Sequence, residues 1–225
     1  MRTLILDLDG TLLDSALTCT EILNDMLADR GTGGRVALCD VRPHVTAGGE
    51  EMIAAVLGVA GDAIAVELAD FRARYAVRPT LASALFPGVA KGLRRLRNAG
   101  YRMAICSNKP QNLCEKVVAD LGLSDCFDHI VGSQPDFRKK PHPDLVELAM
   151  SLLGESPDNC LFVGDSMPDR LASAAAGLAF LYAAYGYEDV NTDMSACEPL
   201  GSFSAIVSTI MSHEPALALP ALRAA

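Results

Sequence analysis

Two aspartates, Asp7 and Asp9, interrupt the end of an apolar run in Leu4-Ile5-Leu6-Asp7-Leu8-Asp9-Gly10-Thr11. Residues i and i+2 of a strand share one face, roughly 7 Å apart at Cα. Two carboxylates placed so repel each other and lose hydration, and a divalent cation is the usual offset. A turn at Asp9-Gly10 would explain Asp9 but leave Asp7 unexplained. Three other groups share this setting. Ser107-Asn108-Lys109 follows the apolar Ile105-Cys106 and leads through Pro110 into a helical pattern, which offers a hydroxyl and backbone N–H groups to an anion. Lys139-Lys140 precedes Pro141 and Pro143, so a stiff loop can aim an ammonium group at a phosphate, Lys140 being the better placed. Cys160 to Gly164 is a further apolar run ending in Asp165, with Asp169 four residues on. Pro168 suits a first helical turn and would bring Asp169 back toward the strand end, where Asp165 can share a cation with Asp7. Ordinary helix capping would account for Ser107, Asn108 or Asp165 singly, but not for Asp169 or for the convergence of all four groups.

The elements that must position these residues alternate between apolar runs and amphipathic stretches. Strands are expected at Thr3 to Leu8, Arg102 to Cys106, Asp128 to Val131, Cys160 to Gly164 and Ala179 to Ala183. Helices are expected at Val89 to Asn98, Gln111 to Leu121, Pro143 to Leu153 and Pro168 to Ala176. This order predicts an α/β fold, a Rossmann-like doubly wound parallel sheet whose carboxyl edge gathers all four groups. From Ser15 to about Pro79 the rhythm breaks. Helical patterns at Leu17 to Arg30, Glu50 to Leu57 and Ala63 to Tyr75 are separated by Gly-rich loops, with no buried strand. The expected organisation is therefore a core from 1–14 and 80–213, an inserted all-helical cap at 15–79, and a C-terminal tail at 214–225 without a motif.

Composition narrows the function classes. Half of the 225 residues are hydrophobic and 21% are charged, as in a folded globular chain. The net charge of -9 argues against nucleic acid as a general partner, while leaving room for a small anion held by a local positive site. Seven cysteines without a CxxC pair point to a reducing, cytoplasmic setting rather than a disulfide framework. No apolar run reaches bilayer length and the first residues do not form a signal peptide, so no membrane association is expected.

Taken together, Asp7-Leu8-Asp9-Gly10-Thr11-Leu12, Ser107-Asn108-Lys109, Lys140-Pro141-His142-Pro143-Asp144 and Gly164-Asp165-Ser166 with Asp169 resemble the haloacid dehalogenase superfamily. Phe86-Pro87-Gly88-Val89 and Tyr185-Gly186-Tyr187 look like its phosphoglycolate phosphatase branch. The resemblance implies a phosphatase in which Asp7 takes the phosphoryl group as an aspartyl phosphate. Asp9 would be the general acid and then the base. Mg2+ would lie between Asp7, the Asp9 carbonyl, Asp165 and Asp169, while Ser107, the Asn108 backbone and Lys140 would hold the phosphoryl oxygens. Arg42, Thr46, Gly48 and Gly49 match the region of the cap that meets the organic part of the substrate, a small phosphorylated metabolite such as phosphoglycolate. Arg170 and the Met167-Pro168 pair depart from the family's usual residues without removing a catalytic group.

Neighbouring chemistries differ in what they require. A dehalogenase has no need of Asp9. A phosphonoacetaldehyde hydrolase needs a cap lysine, and none occurs before Lys91. A hexose-phosphate mutase shares the core motifs and stays open as an alternative. A catalytically inactive regulatory module would be expected to lack one of Asp7, Asp9, Lys140 or Asp165, all of which are present. No GxGxxG follows the first strand, which argues against dinucleotide binding.

Overall fold

The computed structural model describes residues 2–31, 33–45, 48–187, 194 and 196–212. The strands are β1 (Thr3–Leu6), β2 (Arg102–Pro110), β3 (His129–Ser133), β4 (Cys160–Gly164), β5 (Ala179–Ala183) and β6 (Pro199–Leu200). They form one sheet in the order β3-β2-β1-β4-β5-β6, and every pairing is parallel. β1 lies at the centre, with Leu6 opposite Ile105 of β2 on one side and Val163 of β4 on the other.

The strands are apolar throughout because helices cover both faces. Leu4 and Leu6 of β1 pack with Leu93 and Leu96 of α5 (Val89–Asn98) and with Leu113 and Val117 of α6 (Gln111–Asp120). Ile5, between them, faces the other way, toward Leu145, Val146 and Ala149 of α7 (Asp144–Leu153) and Ala172 of α8 (Met167–Ala175). The period of two along the strand thus assigns alternate residues to the two layers. α9 (Phe203–Ser212) and β6 lie beyond the last expected strand. α9 buries Phe203, Ile206, Val207 and Ile210, a 3.6-residue spacing present in the sequence, whereas a two-residue β6 leaves no pattern.

Between β1 and β2 the chain forms α1 (Ala16–Asp29), α2 (Leu38–Val41), α3 (Gly49–Leu57) and α4 (Asp62–Val77), with no strand among the described residues. Ile22, Leu23 and Met26 of α1, Met52 and Ile53 of α3, and Leu68, Phe71 and Tyr75 of α4 form the buried side of this insert. The i, i+3, i+4, i+7 spacing of these residues is what makes the segment helical and amphipathic. The chain leaves and rejoins the sheet along one seam. Leu13 and Leu85 form an antiparallel bridge, Asp14 N–H donates to the Ala84 carbonyl (2.8 Å), and Phe86 N–H donates to that of Leu12 (3.1 Å). The tail at 214–225 falls outside the described residues. Among the described residues no single helix is long and apolar enough to cross a membrane.

Candidate active site

The first strand ends earlier than its composition suggests, at Leu6 rather than Leu8. Asp7 N–H still extends the ladder to the Val163 carbonyl (2.9 Å), but the chain then turns, and Leu12 and Leu13 both donate to the Leu8 carbonyl. Gly10 supplies the positive φ of this turn (87°). A side chain there would also run into the Asp165 carboxylate. The two aspartates therefore part company instead of sharing a strand face, and each meets its own lysine.

Lys140 Nζ is buried and spends all three of its donors. It bonds Asp7 Oδ1 (2.7 Å), Asp169 Oδ1 (2.5 Å) and the Cys106 carbonyl (2.8 Å). Burial alone would lower its pKa, but Asp169 and Asp7 outweigh that and hold it above the ordinary value. Its loop is clamped from two sides. The Asn108 side chain accepts from Lys140 N–H (2.9 Å) and donates to the Lys140 carbonyl (3.0 Å). Arg138 and Asp144, which bracket the loop, form a fork with Nε and Nη2 donating to the carboxylate (3.0 and 2.8 Å).

Asp169 accepts from Ser166 N–H (3.1 Å) and Ser166 Oγ (2.6 Å), a capping box that fixes the start of α8, with Pro168 in its first turn. Asp165 accepts from Thr11 Oγ1 (2.9 Å) and Tyr187 N–H (2.9 Å). Asp7, Asp165 and Asp169 are all buried, and one oxygen from each lies within 4.8 Å of the others. Burial, reinforced by Asp169 and Asp9 and opposed by Lys140, pushes Asp7 up to about 7. Burial and the charges of Asp169 and Asp7 push Asp165 well above the usual carboxylate range. Three carboxylates thus have a single lysine beside them, bonded to Asp7 and Asp169 and not to Asp165, an all-oxygen set short of positive charge that fits a hard divalent cation. Asp9's carboxylate stands outside this cluster.

Asp9 Oδ2 instead accepts from Lys109 Nζ (2.7 Å), which also lies 4.6 Å from the centre of the Tyr75 ring on α4. Lys109 is half-buried, and although desolvation disfavours its charge, Asp9 holds its pKa well above the ordinary value. Asp9 Oδ1 is buried with no hydrogen-bond partner among the described residues. Lys109 went unassigned in the sequence because its partner lies 100 positions away in the chain. The local sign is visible only in the structure, where the β2–β3 register shifts between Cys106 and Pro110 and releases Ser107, Asn108 and Lys109 from the ladder.

These groups face a cavity of about 70 Å³ between the insert and the strand ends. Asp7, Asp9, Ser107, Asn108, Lys140 and Asp169 line its floor, and Gly48 and Gly49 line its roof with residues of α3 and α4. Asp165 sits behind the floor, fully buried. Gly49 passes so close to α4 that a Cβ would meet Leu68 Cδ1 at 2.8 Å. Arg42 does not line the cavity. Its guanidinium pairs with Asp14 (3.3 Å) and stacks 5.0 Å from the centre of the Tyr187 ring, at the seam where the insert joins the core. Thr46 lies outside the described residues. The arginine on the cavity wall is Arg72 of α4, which sequence reasoning passed over because α4 carries Arg72 and Arg74 on different faces, with Arg78 just past its end.

The model of the haloacid dehalogenase-like hydrolases matches residues 1–177. The chain belongs to that family. It is 35% identical over 188 residues to a phosphoglycolate phosphatase of Xanthomonas campestris pv. campestris, covering 83% of this chain and 84% of the relative. It is also 35% identical over 198 residues to the phosphoglycolate phosphatase of Rhodobacter capsulatus, covering 84% and 87%. A crystal structure of a predicted phosphoglycolate phosphatase from Haemophilus somnus superposes with a TM-score of 0.78 at 24% identity, over 93% of this chain and 98% of that one. This hydrolase is accordingly an enzyme of phosphoric monoesters, on the Rossmann-like fold that its sequence predicted.

Proposed function

We propose that this chain hydrolyses a small phosphate monoester, phosphoglycolate above others, by way of a phosphorylated Asp7. The observation that carries the proposal is the asymmetry between the two aspartates. Asp7 belongs to the buried carboxylate cluster with Lys140 against it, while Asp9, paired to Lys109 through one oxygen, keeps its other oxygen free. The nucleophile needs a lysine and a cation beside it, since burial alone favours its protonated form, whereas the proton carrier needs an oxygen left open to the reacting atoms.

In this scheme Asp7 attacks phosphorus in line, and Asp9 Oδ1 protonates the departing alkoxide. Asp9 then takes a proton from the water that cleaves the aspartyl phosphate. Lys140, released in part from its carboxylates, joins Ser107 and the Asn108 backbone in holding the phosphoryl oxygens. Asp7, Asp165, Asp169 and the Asp9 carbonyl would hold Mg2+, whose charge lets an ionised carboxylate approach an anionic ester. The names of the relatives favour phosphoglycolate over a nucleotide or a sugar phosphate.

The test is phosphate release from a panel of esters with magnesium or with chelator. Phosphoglycolate should rank first, chelation should abolish release, and Asp7→Asn should lower kcat by at least ~10³-fold while leaving the circular dichroism spectrum unchanged. Substantial turnover by Asp7→Asn would rule out the covalent route.

A further inference from the structure

The cavity wall contributed by the insert is chiefly apolar, with Val45, Met52, Leu68, Phe71 and Tyr75 facing the strand ends. Arg72 is the exception. Four cations line the cavity in all: Arg72, Lys109, Lys139 and Lys140. Lys109 is committed to Asp9 and Lys140 to Asp7 and Asp169. Neither the Arg72 nor the Lys139 side chain has an ion-pair or hydrogen-bond partner among the described residues. Lys139 is exposed, on the loop that also carries Lys140, and so adds charge on the side where charge is already abundant. Arg72 is half-buried and comes from the opposite wall. The other two arginines of this part of the chain are both paired, Arg74 with Asp29 and Asp70, and Arg78 with Glu21 and Asp25.

A guanidinium on the cavity wall with no counter-charge among the described residues is available to an anionic ligand in a way that the paired cations are not. We infer that Arg72 is the specificity-determining residue of this enzyme, binding a carboxylate at the end of the substrate remote from the phosphoryl group. The inference rests on the hydrolytic function proposed above and names what selects the substrate. The fork of an arginine matches the two oxygens of a carboxylate, which a point charge such as Lys139 does not. Asp7 and Arg72 line the same cavity from opposite walls, so one small ester can meet both. One anion is held at the floor and one at the roof, and only an ester with both engages the two walls together.

Phosphoglycolate and ethyl phosphate separate the two anchors, since they share the ester and differ in the carboxylate. Steady-state kinetics on both, with magnesium, would be compared for wild type, Arg72→Met, Arg72→Lys and Lys139→Met. Wild type should prefer phosphoglycolate. In Arg72→Met the phosphoglycolate to ethyl phosphate ratio of kcat/KM should fall about 10- to 100-fold, mainly through KM for phosphoglycolate. Arg72→Lys should recover part of that ratio, and Lys139→Met should hold it within about threefold of wild type. Equal losses on both esters in Arg72→Met would overturn the assignment and make Arg72 structural. So would a wild-type enzyme that turns over both esters without preference, and in either case the hydrolytic function would stand. Release from neither ester by wild type would instead remove the hydrolytic function, and the role of Arg72 with it.

Discussion

The floor and the roof of the cavity are built on opposite terms. On the floor, formed by the ends of β1, β2 and β4, every charged group except the exposed Lys139 is held by specific bonds. Lys140 is fixed by Asp7, Asp169 and a carbonyl, its backbone by Asn108, and Asp169 by the start of α8. On the roof, α3 and α4 present apolar side chains and a single unpartnered arginine among the described residues. The difference separates reaction from selection. Groups that must meet a reacting phosphorus within fractions of an ångström need over-determined positions, whereas a wall that only sorts substrates can change one side chain at a time.

The contrast breaks most visibly at Lys140. Its removal leaves three buried carboxylates without a cation, so Lys140→Met should reduce turnover at least ~10²-fold and destabilise the metal-free protein by about 3 kcal/mol in urea unfolding. Unchanged stability would mean that the floor is held by its backbone alone. A smaller effect is expected where floor and roof meet. Lys109→Met removes both the partner of Asp9 and the contact with Tyr75, and should lower kcat about 10- to 100-fold with little change in stability. A loss confined to KM would assign Lys109 to substrate binding instead.

The smallest effect lies in the clasp around the lysine loop. Asp144→Asn loosens the fork with Arg138 and should cost roughly two- to fivefold in kcat/KM. The same pair gives a pH signature. Hydrogen bonds from Arg138 lower the Asp144 pKa from 3.8 to about 2. A depressed carboxyl adds stability that is complete above its unfolded pKa and is lost as the pH falls through the folded one. The wild type should therefore lose this contribution on going from pH 4 to 2, and Asp144→Asn should lack that part of its acid sensitivity. Parallel acid-unfolding curves would show the clasp to be idle.

Most of the floor was legible in the sequence because several of its groups end apolar runs, and a parallel sheet brings such ends together wherever they occur in the chain. Asp7, Ser107 and Asp165 were read in this way, as were the strands from β1 to β5, while Lys140 and Asp169 were singled out by the prolines beside them. The turn after β1 was not legible, since Gly10 decides it and glycine marks many kinds of turn. Lys109 and Arg72 were not legible for a different reason. Their significance lies in which partner each has or lacks, and pairing between remote segments leaves no local pattern. Arg42 shows the converse, as a residue in a suggestive region that the fold turns toward Asp14.

The seam at Leu13 and Leu85 has a consequence for how this chain can change length. Its bridge and flanking hydrogen bonds bring the two ends of the insert together inside the core, so whatever lies between them closes a loop whose ends are already joined. For such a loop, each doubling of length adds only about 0.6 kcal/mol of closure entropy. A change in length of the chain between Leu13 and Leu85 is therefore expected to cost little in closure entropy while the register of β1 against β2 and β4 stays as it is.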